Sequence, residues 1–397
     1  MKYVIIIPEG AGDEPQIDLG GKTPLEVAHT PTFDWLATNG KSGTIKHLYK
    51  KTSTDCDISN RLISGLGFDP LEHKTQLAPL KAAGCDITLE DEDWAFCCDL
   101  VTIINGTLED HSAGHISSTE SAQIINQLAN SLEGTGILLF KGSSYEHLMV
   151  IPGDLGVKTT APCDIIGKNI APFLPAGEGS QVLTTLMDRA HHMLEASDIN
   201  AVRAELGENL ATDIWLWGQG QKCTLPNFEQ TYNKTAALIA GTEAIRGIAK
   251  LSGIYCPEIT GSTGNINTSY AAKCDAALCS LSANDIVIVH VDAPKQASLA
   301  GDIQGKIESL EKIDQQILIP ILHELIQMGT DWRILLMPTC SCSSSQRKML
   351  TSPVPFAIAG KRIKNLVPGD FTENDTENSD LHIEKPYTMM EYLLTVR

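Results

Sequence analysis

The chain has 397 residues, 42% of them hydrophobic and 20% charged, with a formal net charge of −19. That length suits two domains, or one large domain carrying an insertion. The acidic balance excludes a general nucleic-acid binder, which needs a basic face, but leaves room for a small anion in a local basic pocket.

Lys2–Ile7 is a continuous β-branched run and reads as a buried strand. Pro8 and Gly10 interrupt it too soon for a signal peptide. Glu9-Gly10-Ala11-Gly12 forms the turn at its C-terminal end, where ligands bind in open α/β sheets. Thr30-Pro31 opens a helix, with Thr30 as cap, and Asn39-Gly40 stops it. Next, a polar loop at Ser53 runs into a helical segment that closes on Gly67-Phe68-Asp69-Pro70. Asp57 suits its N-cap. Cys56 would then sit against the positive end of the helix dipole, where a thiol loses its proton more easily and becomes a candidate nucleophile. The bland reading of Cys56 is a small buried hydrophobe.

After Pro70 the pattern changes. Trp94–Ile104 and Gly136–Ile151 read as strands, with a helix over Thr119–Leu132 whose capping box is placed at Thr119 or Ser118. Gln181–Leu206 reads as one helix, and Ile214–Trp217 as a strand entering the turn Gly218-Gln219-Gly220. A βαβ rhythm returns from Thr235. Strands are expected at Thr235–Ala240, Asp285–Val291, Trp332–Met337 and Val354–Ala359. Helices are expected at Thr242–Leu251, Ser269–Leu281 and Tyr387–Leu394, with a long one over Gly301–Met328 kinked near Pro320. Asn365–Asp380 reads as a surface loop.

The fold class is therefore α/β. Residues 1–70 and 223–397 form a doubly wound sheet domain, residues 71–222 an inserted smaller α+β domain, and a ligand cleft is expected between them. No run approaches the about 18 apolar residues of a membrane span. The 11 cysteines form no C-x-x-C pair and suit a reducing compartment, so a cytoplasmic protein is expected.

Several stretches now carry a resemblance. The first 40 residues, with GLGFDP at 65–70, HSAGHIS at 111–117, SSYEHLMV at 143–150 and DIWLWGQGQK at 213–222, are similar to the archaeal-type cofactor-independent phosphoglycerate mutases of the alkaline phosphatase superfamily. GSTGNINTSYAAK at 261–273, VHVDAP at 289–294 and SPVPFAIAG at 352–360 extend the likeness over almost the whole chain. The resemblance implies an alkaline-phosphatase-like core and an inserted substrate-capping domain. In that family a serine carries the phosphoryl group between the two hydroxyls of glycerate. Two divalent ions, manganese or zinc, activate it and neutralise the phosphate. Such a centre takes about seven carboxylate and imidazole ligands.

The family positions fall here on altered residues. Its P-D-G becomes Pro8-Glu9-Gly10, and its serine nucleophile becomes Cys56. The Asp and His that follow E-A-P become Lys295 and Leu299. P-D-H becomes Pro338-Thr339-Cys340, and the last histidine becomes Met349. Cys163 and Glu146 stand where the family usually has histidine and arginine. His115, Lys273 and, less directly, Arg246 and Gln219 match cleft positions and are candidate substrate contacts, with Lys295 as a further cation. A soft metal on Cys56 and Cys340 is a residual option. The expectation is no metal cofactor, and a non-catalytic homologue that binds a small phosphorylated or carboxylated metabolite or a protein partner. Nucleic acid and membranes are not expected partners. Two alternatives remain: an active mutase interconverting 3- and 2-phosphoglycerate with manganese or zinc, and a metal-free enzyme with Cys56 as nucleophile and Lys295 stabilising an oxyanion.

Overall fold

The computed structural model describes residues 1–46, 60–61, 63–153, 155–365 and 368–396. Among the described residues two compact units emerge, one from residues 1–46, Arg61–His73 and Leu225 onward, the other from Asn60 and Lys74–Thr224. No helix among the described residues is long and apolar enough to cross a membrane.

The first unit is built on a sheet ordered, among the described residues, Ala236–Ile239, Ile286–Val291, Lys2–Pro8, Trp332–Leu336, Val354–Gly360, Lys41–Ile45, His382–Ile383. The first four strands run parallel, and Val354–Gly360 is antiparallel to both its neighbours. These are the β-branched runs that the sequence marks, and they need helices on both faces because neither face is polar. On one face Val4, Ile6, Val287, Val289, Ile334 and Leu336 pack against Phe33, Leu36, Leu310 and Ile317. Register fixes the chemistry: Pro8 lies beside Val291, and Ile6 beside Leu336. The residues that leave these three strands, Glu9, Asp292 and the Met337–Cys340 segment, therefore emerge at one end of the sheet.

Several elements differ from expectation. The long helix is broken into Ile303–Ile313, a π-turn at Asp314–Leu318 and Ile319–Gln327. Pro320 has no N–H and its ring crowds the preceding turn, so the helix widens just before it. That turn has a use. Thr30 makes no side-chain cap on the helix Pro31–Asn39. Instead Asp314 accepts the free N–H groups of Thr32 and Phe33 at 3.0 and 2.9 Å. Within Asn365–Asp380, Thr372 caps a short helix over Glu373–Glu377.

The second unit carries an antiparallel sheet ordered Asp213–Gln221, Asp93–Ile104, Glu146–Pro152, Leu138–Phe140. The stretch expected as one strand over 136–151 is thus a hairpin, turning through Ser144 in a left-handed conformation (φ 54°). Helix Ser118–Ser131 has its capping box one residue earlier than expected, between Ser117 and Glu120. Gln181–Leu206 is two helices, Ser180–Glu195 and Asp198–Leu206. Polar Ser197 interrupts them at the N-cap position of the second.

Candidate functional site

Glu9 is the first residue past the central strand, and its N–H continues the ladder to the Val291 carbonyl at 2.9 Å. The following Gly10 has φ 77°, and a Cβ there would lie 2.6 Å from the Lys295 Cα. Only glycine lets the turn approach the helix Ala293–Ala300 so closely. Asp292 stands at the start of that helix and Lys295 one turn in. Their i,i+3 spacing brings the Lys295 ammonium to 2.8 Å from Asp292 Oδ1. Gln296 donates to the other oxygen at 3.2 Å.

Glu9 is 3% exposed and has internal partners. The Thr339 hydroxyl donates to Oε1 and Oε2 at 2.7 and 2.6 Å, and the Thr339 N–H to Oε2 at 3.1 Å. The Cys340 thiol donates to Oε1 at 3.1 Å. Cys342, two residues on along the same strand edge, brings its sulfur to 3.7 Å from that of Cys340. The neighbouring Cys342 thiol, burial and the Glu9 charge all push the Cys340 thiol well above its usual pKa, so it stays protonated.

Three further groups complete the cluster. His290 is buried, and neither ring nitrogen has a hydrogen-bond partner; Nε2 lies 3.9 Å from Glu9 Oε2. Burial lowers its pKa, so the ring is neutral. Lys273 is fully buried, donates to Ser262 Oγ at 2.8 Å, and is brought down to about 8 by burial, against the pull of Asp292. Arg61, also buried, adds positive potential near Cys340. For Asp292, burial favours the neutral acid, but the Lys295 charge and hydrogen bonds outweigh it and hold the carboxyl below its usual range. For Lys295, burial opposes the charge, yet Asp292 and Glu9 hold the ammonium protonated. Among the described residues, the Glu9 and Asp292 carboxylates thus share this end of the sheet with the ammonium groups of Lys295 and Lys273.

The structure brings together Glu9, Lys295, Thr339, Cys340 and Lys273. Lys295 forms its ion pair with Asp292, and Glu9 acts on the ammonium through space. Arg246 is partly buried and paired with Glu258 at 3.3 Å. Leu299 is 38% exposed, and Met349 pairs with Cys342 in a small antiparallel ladder. Cys56 lies outside the described residues. In the second unit, His115 sits exposed on the loop before Ser118–Ser131, and Gln219 accepts from the Thr159 hydroxyl. Glu146 pairs with Lys81 at 3.2 Å, and Cys163 is exposed. Sequence reasoning missed His290, Arg61 and the role of Asp292. The polar residue inside IVIVHV and the Asp–Lys spacing were the available signals for the first and last.

Comparison with known proteins is decisive at this point. A protein from Methanothrix thermoacetophila named 2,3-bisphosphoglycerate-independent phosphoglycerate mutase is 37% identical over 91% of this chain and 92% of its own length. This chain belongs to the 2,3-bisphosphoglycerate-independent phosphoglycerate mutase family. The family model of that description matches residues 37–200. A Geobacter sulfurreducens protein named as a probable mutase of this kind is 33% identical over 99% of the chain and all of its own length. The solved cofactor-independent phosphoglycerate mutase of Thermoplasma acidophilum shares the fold, with a TM-score of 0.60 at 20% identity over 99% of this chain and 98% of its own. A solved Pyrococcus horikoshii protein superposes with a TM-score of 0.80 at 22% identity, covering 99% and 96% of the two chains.

The dimetal centre implied for this mutase family can be tested against the donors present. Among the described residues, no group of three or more His, Cys, Asp and Glu side chains is arranged to hold a metal ion. The Glu9 oxygens already accept from Thr339 and Cys340, the Asp292 oxygens from Lys295 and Gln296, and the Cys340 thiol keeps its proton. The Lys295 ammonium beside these carboxylates offsets part of their attraction for a dication. The described donor set does not fit a pair of divalent ions.

Proposed function

We propose that this mutase-family chain binds a small phosphorylated or carboxylated metabolite and does not carry out metal-dependent phosphoryl transfer. The observation that carries this reading is the Lys295 ammonium, 2.8 Å from Asp292. Lysine here replaces an expected metal ligand and supplies a tethered positive charge of its own. Lys295 and Lys273 then attract the anionic group, while Glu9 and Asp292 keep the cations in place. His290, neutral and without a partner, is available to donate to a ligand oxygen. Arg246, in the same unit, is a further candidate contact. The partner is a cytoplasmic small anion rather than a nucleic acid or a membrane.

The test has two arms. Elemental analysis of the purified protein is expected to find no stoichiometric manganese or zinc, and calorimetry in chelator is expected to show saturable binding of 3-phosphoglycerate. Two bound ions per chain, or conversion of 3- to 2-phosphoglycerate under manganese, would overturn the reading. That second outcome would establish an active mutase, a reading favoured by 37% identity to a relative of that name across most of the chain.

A further inference from the structure

Three sulfur side chains share one face of the small ladder that pairs Ser341–Ser343 with Lys348–Leu350. Alternate residues of a strand point the same way, so Cys340 and Cys342 lie on one face, while Ser341 between them turns its hydroxyl toward Gly12. The two cysteine sulfurs are 3.7 Å apart. Met349 stands directly opposite Cys342 in the register. Opposed residues of an antiparallel pair carry their side chains on the same face, with Cβ atoms about 4.5–5.5 Å apart. The Met349 thioether therefore belongs to the face that carries both thiols. Cys340 and Cys342 are fully buried, and Met349 is partly exposed and nearest to solvent. Cys97 and Cys98 offer a contrast: adjacent in one strand, they point to opposite faces and cannot hold one ion together.

Thiolates and thioethers are soft donors, which select Cu(I) over hard dications. The nearest hard donors are already engaged, Glu9 by Thr339 and Asp292 by Lys295. A soft ion needs neither of them.

We propose that Cys340, Cys342 and Met349 form a binding site for a single soft monovalent cation, Cu(I). Binding breaks the two S–H bonds, forms two Cu–S bonds and releases both protons to water, with no change of oxidation state. The thioether adds a neutral third donor. The bound group carries one net negative charge, and Lys295 and Arg61, which both act electrostatically on the Cys340 sulfur, offset it. Glu9 gives up the Cys340 donor but keeps the Thr339 hydroxyl and N–H. The site goes beyond the anion reading and stands without it, because copper affinity is measured with no anion present.

The experiment is anaerobic titration of the reduced full-length protein with Cu(I), in competition with bicinchoninate. The proteins are wild type, Cys340→Ser, Cys342→Ser and Met349→Leu, and X-ray absorption reads the first shell of the one-equivalent complex. Wild type is expected to bind one ion per chain in an all-sulfur shell. Loss of a ligand costs at least as much as loss of a supporting contact, so each serine variant is expected to bind about 100-fold more weakly and Met349→Leu about tenfold. Wild-type affinity in either serine variant, or nitrogen or oxygen in the first shell, would overturn the site. Wild-type affinity in Met349→Leu would overturn the three-sulfur set. If a serine variant does not fold, the corresponding alanine variant, which buries no new hydroxyl, takes its place.

Discussion

The hydroxyl of Thr339 donates to both carboxylate oxygens of Glu9, at 2.7 and 2.6 Å, while its backbone N–H reaches one of them at 3.1 Å. The two residues are far apart in the chain and meet because their neighbouring parallel strands finish at the same end of the sheet. A buried carboxylate keeps its charge only while such donors replace water. Thr339 therefore does structural work at a position where the mutase resemblance expects a metal ligand.

The first prediction concerns that donor. Thr339→Val keeps the shape and removes the hydroxyl, leaving a buried carboxylate short of a partner. The expected loss is about 1–3 kcal/mol in urea unfolding. Thr339→Ser, which restores the donor, is expected to recover most of it. Equal stability of the valine and serine variants would show that the hydroxyl contributes nothing.

Lys295 gives the second. Its removal as Lys295→Met leaves Asp292 and Glu9 buried without their main counter-charge. Breaking one side of a buried pair costs about 3–5 kcal/mol. The double variant Lys295→Met/Asp292→Asn removes one of the stranded charges and is expected to be more stable than Lys295→Met alone. Thermal melts of the three proteins check the order, and a double variant no better than the single one would argue against charge burial as the cause.

Much of the fold was legible because its signals are local. The β-branched runs at Lys2–Ile7 and Asp285–Val291 name their strands, and Pro31 and Gly40 mark the ends of their helix. The misplaced details are those set by distant partners. Thr30 looked like the cap of that helix, but the cap is Asp314, 282 residues from Thr32. Lys295 was legible as a substitution, yet its choice of Asp292 over Glu9 depends on how the helix leaves the strand. His290 was hidden because one polar residue in an apolar run has the same pattern whether it faces a core or a site.

The third prediction follows from Lys273, whose pKa is brought down to about 8 by burial. Below that pH the ammonium is charged and favours an anion; above it the charge is lost. Affinity for 3-phosphoglycerate is therefore expected to fall as pH rises through about 8. A phosphate monoester has its second pKa near about 6, so it is already dianionic there and the change belongs to the protein. Lys273→Met is expected to bind more weakly at pH 7 and to lack the step. A step of the same size in that variant would assign it to another group.

The last prediction uses Asp110, where burial would raise the carboxyl pKa but hydrogen bonds from Ser112, Asn209 and Gly114 bring it to about 2. The unfolded chain protonates the same group near 3.8. The folded state thus gains stability from this carboxylate above pH 3.8, and the gain disappears as pH falls through about 2. Asp110→Asn keeps one acceptor oxygen and removes the charge. It is expected to cost about 1 kcal/mol at pH 7, once solvent screening of this half-exposed group is allowed for. The difference from wild type should shrink as the pH approaches 2, because both proteins then carry a neutral side chain. The measurement is urea unfolding at several pH values. A gap that stays constant from pH 7 to pH 2 would mean that the side chain acts by its shape and not by its charge.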